Sequence, residues 1–148
     1  MKVTIMSKSP LVLALVLVST SAMAQQGNPG GHFVENWDID SDGQVTLAEA
    51  TERRGDVFLT FDADENGVLT AEEYDLLDEA RALDMAENGM GKGAGNRNPA
   101  NGMLREVTDA DGDGNVTRDE FLNAVPAWFA GMDRNGDNVV TTADFGRG

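Results

Sequence analysis

The run from Asp109 to Glu120 reads D-A-D-G-D-G-N-V-T-R-D-E. It carries side-chain oxygens at its first, third, fifth, ninth and twelfth places: Asp109, Asp111, Asp113, Thr117 and Glu120. Gly114 stands sixth, where a chain closing on itself must turn sharply. Asn115 stands seventh, where its backbone carbonyl is on offer. Alternate residues of a tight loop point inward, so three short carboxylates meet at one point. The longer Glu120 then reaches back from the following helix with both oxygens. This is chemistry for a hard divalent cation such as Ca²⁺, which takes about six to eight oxygens at roughly 2.3–2.6 Å. An acidic surface turn is the bland alternative, and recurrence of the pattern argues against it.

Two further complete copies are present. Residues 38–49 offer Asp38, Asp40, Asp42 and Glu49, with Gly43 at the turn, Gln44 seventh and Thr46 ninth. Residues 62–73 offer Asp62, Asp64, Asn66 and Glu73, with Gly67 at the turn, Val68 seventh and Thr70 ninth. Residues 133–144 form a fourth copy with departures: Asp133, Asn135, Asp137, Val139 and Asp144. There Asn138 replaces the turn glycine, which Asn tolerates because it accepts left-handed dihedrals. Asp144 replaces the terminal glutamate and is one methylene shorter. This site is expected to be the weakest, or to accept Mg²⁺. Thr46, Thr70, Thr117 and Thr141 each precede the terminal acid by three residues, a capping-box spacing. They read first as helix caps and second as ligands through water.

The spacing of the loops dictates the elements that hold them. Loops 38–49 and 62–73 are separated by too few residues for two helices, as are loops 109–120 and 133–144. One helix of about four turns must join each close pair, holding its loops at opposite ends roughly 20 Å apart. The longer middle segment has room for two helices and a turn. Loop 62–73 is therefore expected to pair with loop 109–120, and loop 38–49 with loop 133–144. Leu69 then meets Val116, and Val45 meets Val140, across short strand contacts. The predicted fold is all-α: a helix-loop-helix bundle with four cation loops, paired at both ends.

The helices follow from apolar spacing. Phe33 and Trp37 share a face of a short helix over 32–37. Leu47, Ala50, Phe58 and Phe61 mark a helix over 47–61, with Arg54 laying its stem along the stripe. Tyr74, Leu76, Leu77, Ala80 and Leu83 form the apolar side of a helix over 71–87, stopped by Asn88-Gly89. Residues 89–102, rich in glycine, read as a flexible linker. Phe121, Val125, Trp128, Phe129 and Met132 make a further stripe, which Pro126 must kink or break.

Lys2 and Lys8, the apolar run Leu11–Val18 and the small residues of Ala22-Met23-Ala24 read as a signal peptide over 1–24. The location expected is periplasmic or secreted. Removing that segment leaves 9 basic against 26 acidic side chains, a net charge of −17. A nucleic-acid partner is excluded, because a phosphate backbone needs a basic face, and no membrane insertion is expected after cleavage. Metal ions and basic proteins suit this charge. The chain has no cysteine and one histidine, His32, read as a surface residue.

The loops resemble those of the EF-hand family, and small exported EF-hand proteins of bacteria in particular. The resemblance implies Ca²⁺ binding, at up to four sites. The short spacing between loops is similar to that of lanmodulins, a periplasmic lanthanide-binding variant of the family, which implies that lanthanide ions bind as well. That variant usually has proline second and an acid ninth in each loop. This chain has Ile39, Ala63, Ala110 and Arg134 second, and threonine ninth.

Three functions therefore stand side by side: a calcium buffer or sensor, a lanthanide-capturing protein, and an enzyme using a bound cation. Against the last, no nucleophile–base constellation is visible and the clustered acids are accounted for as ligands. A sensor needs a surface for a protein partner. Met85, Met90, Met103 and Met132 offer adaptable apolar side chains for one, or are ordinary core and linker residues.

Overall fold

The computed structural model describes residues 28–88 and 98–146. The expected signal peptide, Met90 and the Gly89 helix stop lie outside the described residues. The elements run α1 (Gly31–Trp37), β1 (Val45–Thr46), α2 (Leu47–Phe61), β2 (Val68–Leu69) and α3 (Ala71–Asn88). A 3-10 helix (Pro99–Met103) follows, then α4 (Arg105–Thr108), β3 (Val116–Thr117), α5 (Arg118–Asn123), α6 (Val125–Met132), β4 (Val139–Val140) and α7 (Thr142–Phe145). The protein is mostly helical, and its strands are two residues long.

Each strand lies within one acidic loop, and the strands pair across the chain. β1 runs antiparallel to β4 with Val45 opposite Val140, and β2 runs antiparallel to β3 with Leu69 opposite Val116. The pairing expected from the spacing is the pairing observed. Its cause is the length of α2, which begins at the end of one loop and ends at the start of the next. Fifteen residues at about 1.5 Å each keep those loops roughly 22 Å apart. α5 and α6 join the last two loops, and the chain breaks between them at Ala124, with Pro126 in the first turn of α6. That turn needs no N–H from residue 126, so the ring is tolerated there.

Two apolar clusters lie under the two loop pairs. Phe33, Val34, Val45, Ala50, Val125, Trp128, Phe129, Met132 and Val140 fill one, with Trp37 and Phe145 packed against it. Phe58, Leu69, Tyr74, Leu77, Val116 and Phe121 fill the other, beside Val57, Phe61 and Met103. The eighth residues of the loops, Val45, Leu69, Val116 and Val140, are 0% exposed. Each contributes about 1.5–3 kcal/mol by leaving water, so closing a loop pair and completing a core are one event.

Three expectations are corrected. Leu76 and Leu83 are exposed, and so is Ala80. The inward face of α3 runs through Tyr74, Leu77, Arg81 and Met85, one residue round from the leucines, and it faces the second cluster, the 3-10 helix and α1. The end of the expected linker is not loose. Pro99, Ala100 and Gly102 are buried, and Asn98 caps the 3-10 helix by accepting from the Ala100 N–H at 3.0 Å. Arg54 does more than lay its stem along the stripe: the whole side chain, guanidinium included, is buried, at 0% exposed.

Candidate metal centre

The chain folds each loop around its first aspartate. In loop 38–49, Asp38 Oδ1 accepts from the Ser41 and Asp42 N–H groups at 2.7 and 3.2 Å, and Oδ2 accepts from Gly43 N–H at 2.8 Å. In loop 109–120, Asp109 Oδ1 accepts from Gly112 and Asp113 at 2.8 and 3.2 Å, and Oδ2 from Gly114 at 2.9 Å. Asp62 takes Asn66 N–H at 3.0 Å and Gly67 N–H at 2.9 Å. Asp133 takes Gly136, Asp137 and Asn138 at 2.8, 3.2 and 2.9 Å. The sixth residue turns through the left-handed region in all four loops: Gly43 at φ 87°, Gly67 at 80°, Gly114 at 89° and Asn138 at 69°. Asn138 bears that conformation with a side chain, as anticipated.

The fifth residue braces the seventh. Asp42 Oδ1 accepts from Gln44 N–H at 2.8 Å, Asn66 Oδ1 from Val68 at 2.7 Å, Asp113 Oδ1 from Asn115 at 2.8 Å and Asp137 Oδ1 from Val139 at 3.1 Å.

The twelfth residue closes each loop from the far side. Glu49 Oε1 accepts from Ile39 N–H at 2.9 Å and Oε2 from Thr46 N–H at 2.9 Å. Glu73 does the same with Ala63 at 2.8 Å and Thr70 at 2.9 Å. Glu120 accepts from Asp111 N–H at 3.4 Å and Thr117 N–H at 2.9 Å. Asp144, despite its missing methylene, reaches Arg134 N–H at 3.0 Å and Thr141 N–H at 2.8 Å. The threonines are the N-caps of α2, α5 and α7, each in a full capping box.

These contacts set the electrostatics. Donation from the Thr46 backbone, then the Thr46 hydroxyl and the Ile39 and Asp40 N–H groups, holds the Glu49 carboxyl below its ordinary value. The Thr70 and Ala63 N–H groups do so for Glu73, and the Thr117 hydroxyl and N–H for Glu120. At Asp144, desolvation pushes upward but is outweighed by donors from Thr141 and Arg134, so the carboxyl is lowered. Asp40 goes the other way: desolvation, then the charges of Asp42, Glu49 and Asp38, raise it. Crowded carboxylates that repel one another are the counterpart of a site that attracts cations.

Three loops bring three carboxylates together. Oxygens of Asp38, Asp40 and Glu49 lie within 4.8 Å of one another, as do those of Asp62, Asp64 and Glu73, and those of Asp109, Asp111 and Glu120. Asp42 and Asp113 stand outside these groups, turned to their own backbone. Asp133, Asp137 and Asp144 form no such group. In loop 133–144 the Asn135 amide donates to Asp137 Oδ2 at 2.8 Å, as the Asn66 amide does to Asp64 Oδ2 in loop 62–73. The Arg134 guanidinium also reaches under loop 133–144, donating to the Asp144 and Gly146 carbonyls at 3.2 and 2.6 Å.

The backbone donors at the second loop position escaped the sequence, because any residue supplies them. His32 sits apart from the loops, hydrogen-bonded to Asp84 at 3.0 Å and to the Asn36 amide at 3.1 Å. The described methionines do not share one groove. Met85 and Met103 line a cleft of about 250 Å³ with Phe33, Trp37 and Leu77, whereas Met132 belongs to the first cluster and lines a different cleft. No helix among the described residues is long and apolar enough to cross a membrane.

The EF hand family model matches residues 55–77 and 107–125, which hold the second loop and the third. These two matches support a relationship to the EF-hand calcium-binding family over those stretches. No curated protein matches the chain.

Proposed function

We propose that the protein binds Ca²⁺ at its four loops after export to the periplasm or beyond, as a buffer or sensor whose folding is coupled to the metal. Numbering the loops in chain order, 38–49, 62–73, 109–120 and 133–144, the observation that carries this reading is the threefold grouping of carboxylate oxygens within 4.8 Å in loops 1, 2 and 3. Two like charges at 4 Å repel by about 1 kcal/mol in water and about 4 kcal/mol near a protein surface. A bound divalent ion turns that repulsion into attraction. An ion present at about a hundred times its dissociation constant adds about 2.7 kcal/mol per site to the folded state. Export is supported by the basic, apolar and small-residue succession over 1–24, and loop 4 is the weak or Mg²⁺-tolerant site.

Lanthanide capture is the second reading. The single helix α2 between two loops favours it, since that spacing is the feature shared with lanmodulins. Calorimetric titration of the mature chain with Ca²⁺, Mg²⁺ and La³⁺ tests both. Calcium heats with at least three sites are expected. Silence toward all three ions at millimolar concentration sinks the cation reading, and calcium displaced by equimolar La³⁺ selects the second.

A further inference from the structure

Arg54 stands midway along α2 and is wholly buried. Its guanidinium carbon lies 4.5 Å from the ring centroid of Phe121 and 4.9 Å from that of Trp128. Phe121 belongs to the cluster under loops 2 and 3, and Trp128 to the cluster under loops 1 and 4. Nη2 donates to the Gly102 carbonyl, while Nε and Nη1 have no hydrogen-bond partner among the described residues. Burial pushes its pKa down to about 10. A guanidinium held this way is costly, and an apolar side chain would fill the space more cheaply. The position therefore asks for something a filler does not supply: one flat group with an aromatic ring of each core against it.

The helix that carries Arg54 also carries ion ligands at both ends. Glu49 lies in its first turn and Asp62 is its C-cap. Phe121 follows Glu120 directly, and Trp128 lies on α6, which ends where loop 4 begins.

We propose that Arg54 couples ion loading at the two ends of the bundle. This rests on the reading of the loops as cation sites. When loops 2 and 3 close, the Glu120 backbone is fixed and Phe121 is seated against the guanidinium. That seating sets the rotation of α2, and with it the placement of Glu49 in loop 1. Trp128 transmits the same constraint from loop 4. Without the guanidinium plane, each core packs on its own and each pair of loops loads by itself.

The test uses the mature full chain and reads each loop by NMR. The amides of Gly43, Gly67, Gly114 and Asn138 each donate to the first aspartate of their own loop, so each reports one site. Glu49→Gln disables loop 1. With Arg54 in place, it is expected to weaken the calcium midpoints at Gly67 and Gly114 by about fivefold, the lower end of ordinary allosteric coupling. In an Arg54→Met background the same change should move them by less than about twofold, within the additivity expected of independent sites. Equal shifts in both backgrounds overturn the proposal, as does no shift when Arg54 is present. Circular dichroism at saturating calcium checks that each variant is folded. Should Arg54→Met fail that check, Arg54→Lys replaces it, with the same criteria. If none of the four amides of the unsubstituted chain responds to calcium, the cation reading itself has failed, a result distinct from uncoupled but working sites.

Discussion

Thr117 and Glu120 exchange hydrogen bonds in both directions: the Thr117 hydroxyl donates to Glu120 Oε2 at 2.7 Å and accepts from the Glu120 N–H at 3.2 Å. The acid that closes the loop is also the acid that starts α5. Thr117→Ala is expected to cost about 1 kcal/mol of stability in chelator, the usual value of an N-cap. A urea midpoint unchanged from the parent chain would refute this.

The same pair sets a pH dependence. The hydroxyl of Thr117 is the largest cause of the lowered Glu120 pKa. A lowered carboxyl stabilises the fold above its unfolded value, about 4.3 for glutamate, and that stabilisation is lost as pH falls through the lower folded value. The gap between parent and Thr117→Ala should therefore be full at pH 7 and shrink below about pH 4.3. Urea titrations in chelator at pH 7, 5, 4 and 3 measure it. A gap that widens on acidification contradicts the assignment.

Glu73 holds loop 2 closed from both oxygens and sits with Asp62 and Asp64. Glu73→Gln removes one of three clustered charges. Calcium affinity at loop 2 should drop at least tenfold, or ~1.4 kcal/mol, read as the midpoint of the Gly67 amide. An unshifted midpoint would remove Glu73 from the ligand set.

Gly102 lies flat against an indole. A Cβ added there would overlap Trp128, whose Nε1–H donates to the Pro99 carbonyl at 2.8 Å. Gly102→Ala must push the 3-10 helix off Trp128, at about 1–3 kcal/mol, the ordinary cost of overpacking. Thermal unfolding decides it, and a melting temperature equal to the parent's would show that the ring simply moves aside.

Most of the loop architecture was legible because its signals are local. The alternation of acids, the turn residue at the sixth place and the apolar eighth residue all lie within twelve positions. The distance between loops then left room for one helix only, and the choice of partners followed. What escaped was set by elements remote in sequence. Leu76 and Leu77 are equally apolar, and the position of the second cluster, built from segments remote in sequence, decides that Leu77 is buried. Arg54 within an apolar stripe resembles a snorkelling side chain. Its true surroundings, Phe121, Trp128 and the Gly102 carbonyl, come from segments that nothing near residue 54 announces. Pro99 and Gly102 looked like linker for the same reason: their composition is that of a loop, and their burial depends on an indole almost thirty positions away.

The arrangement of the strand pairs governs the order in which the molecule assembles. β2 with β3 forms an inner bracket, and β1 with β4 an outer one that encloses it. Closing the outer bracket first would tie off the longer stretch of open chain, at a higher entropic cost than the inner. Once the inner bracket has formed, the ends it leaves are already short and near each other. The difference is about 0.6 kcal/mol, which favours assembly from the middle of the chain outward, and on that order Val45→Ala or Val140→Ala is expected to speed unfolding more than it slows folding.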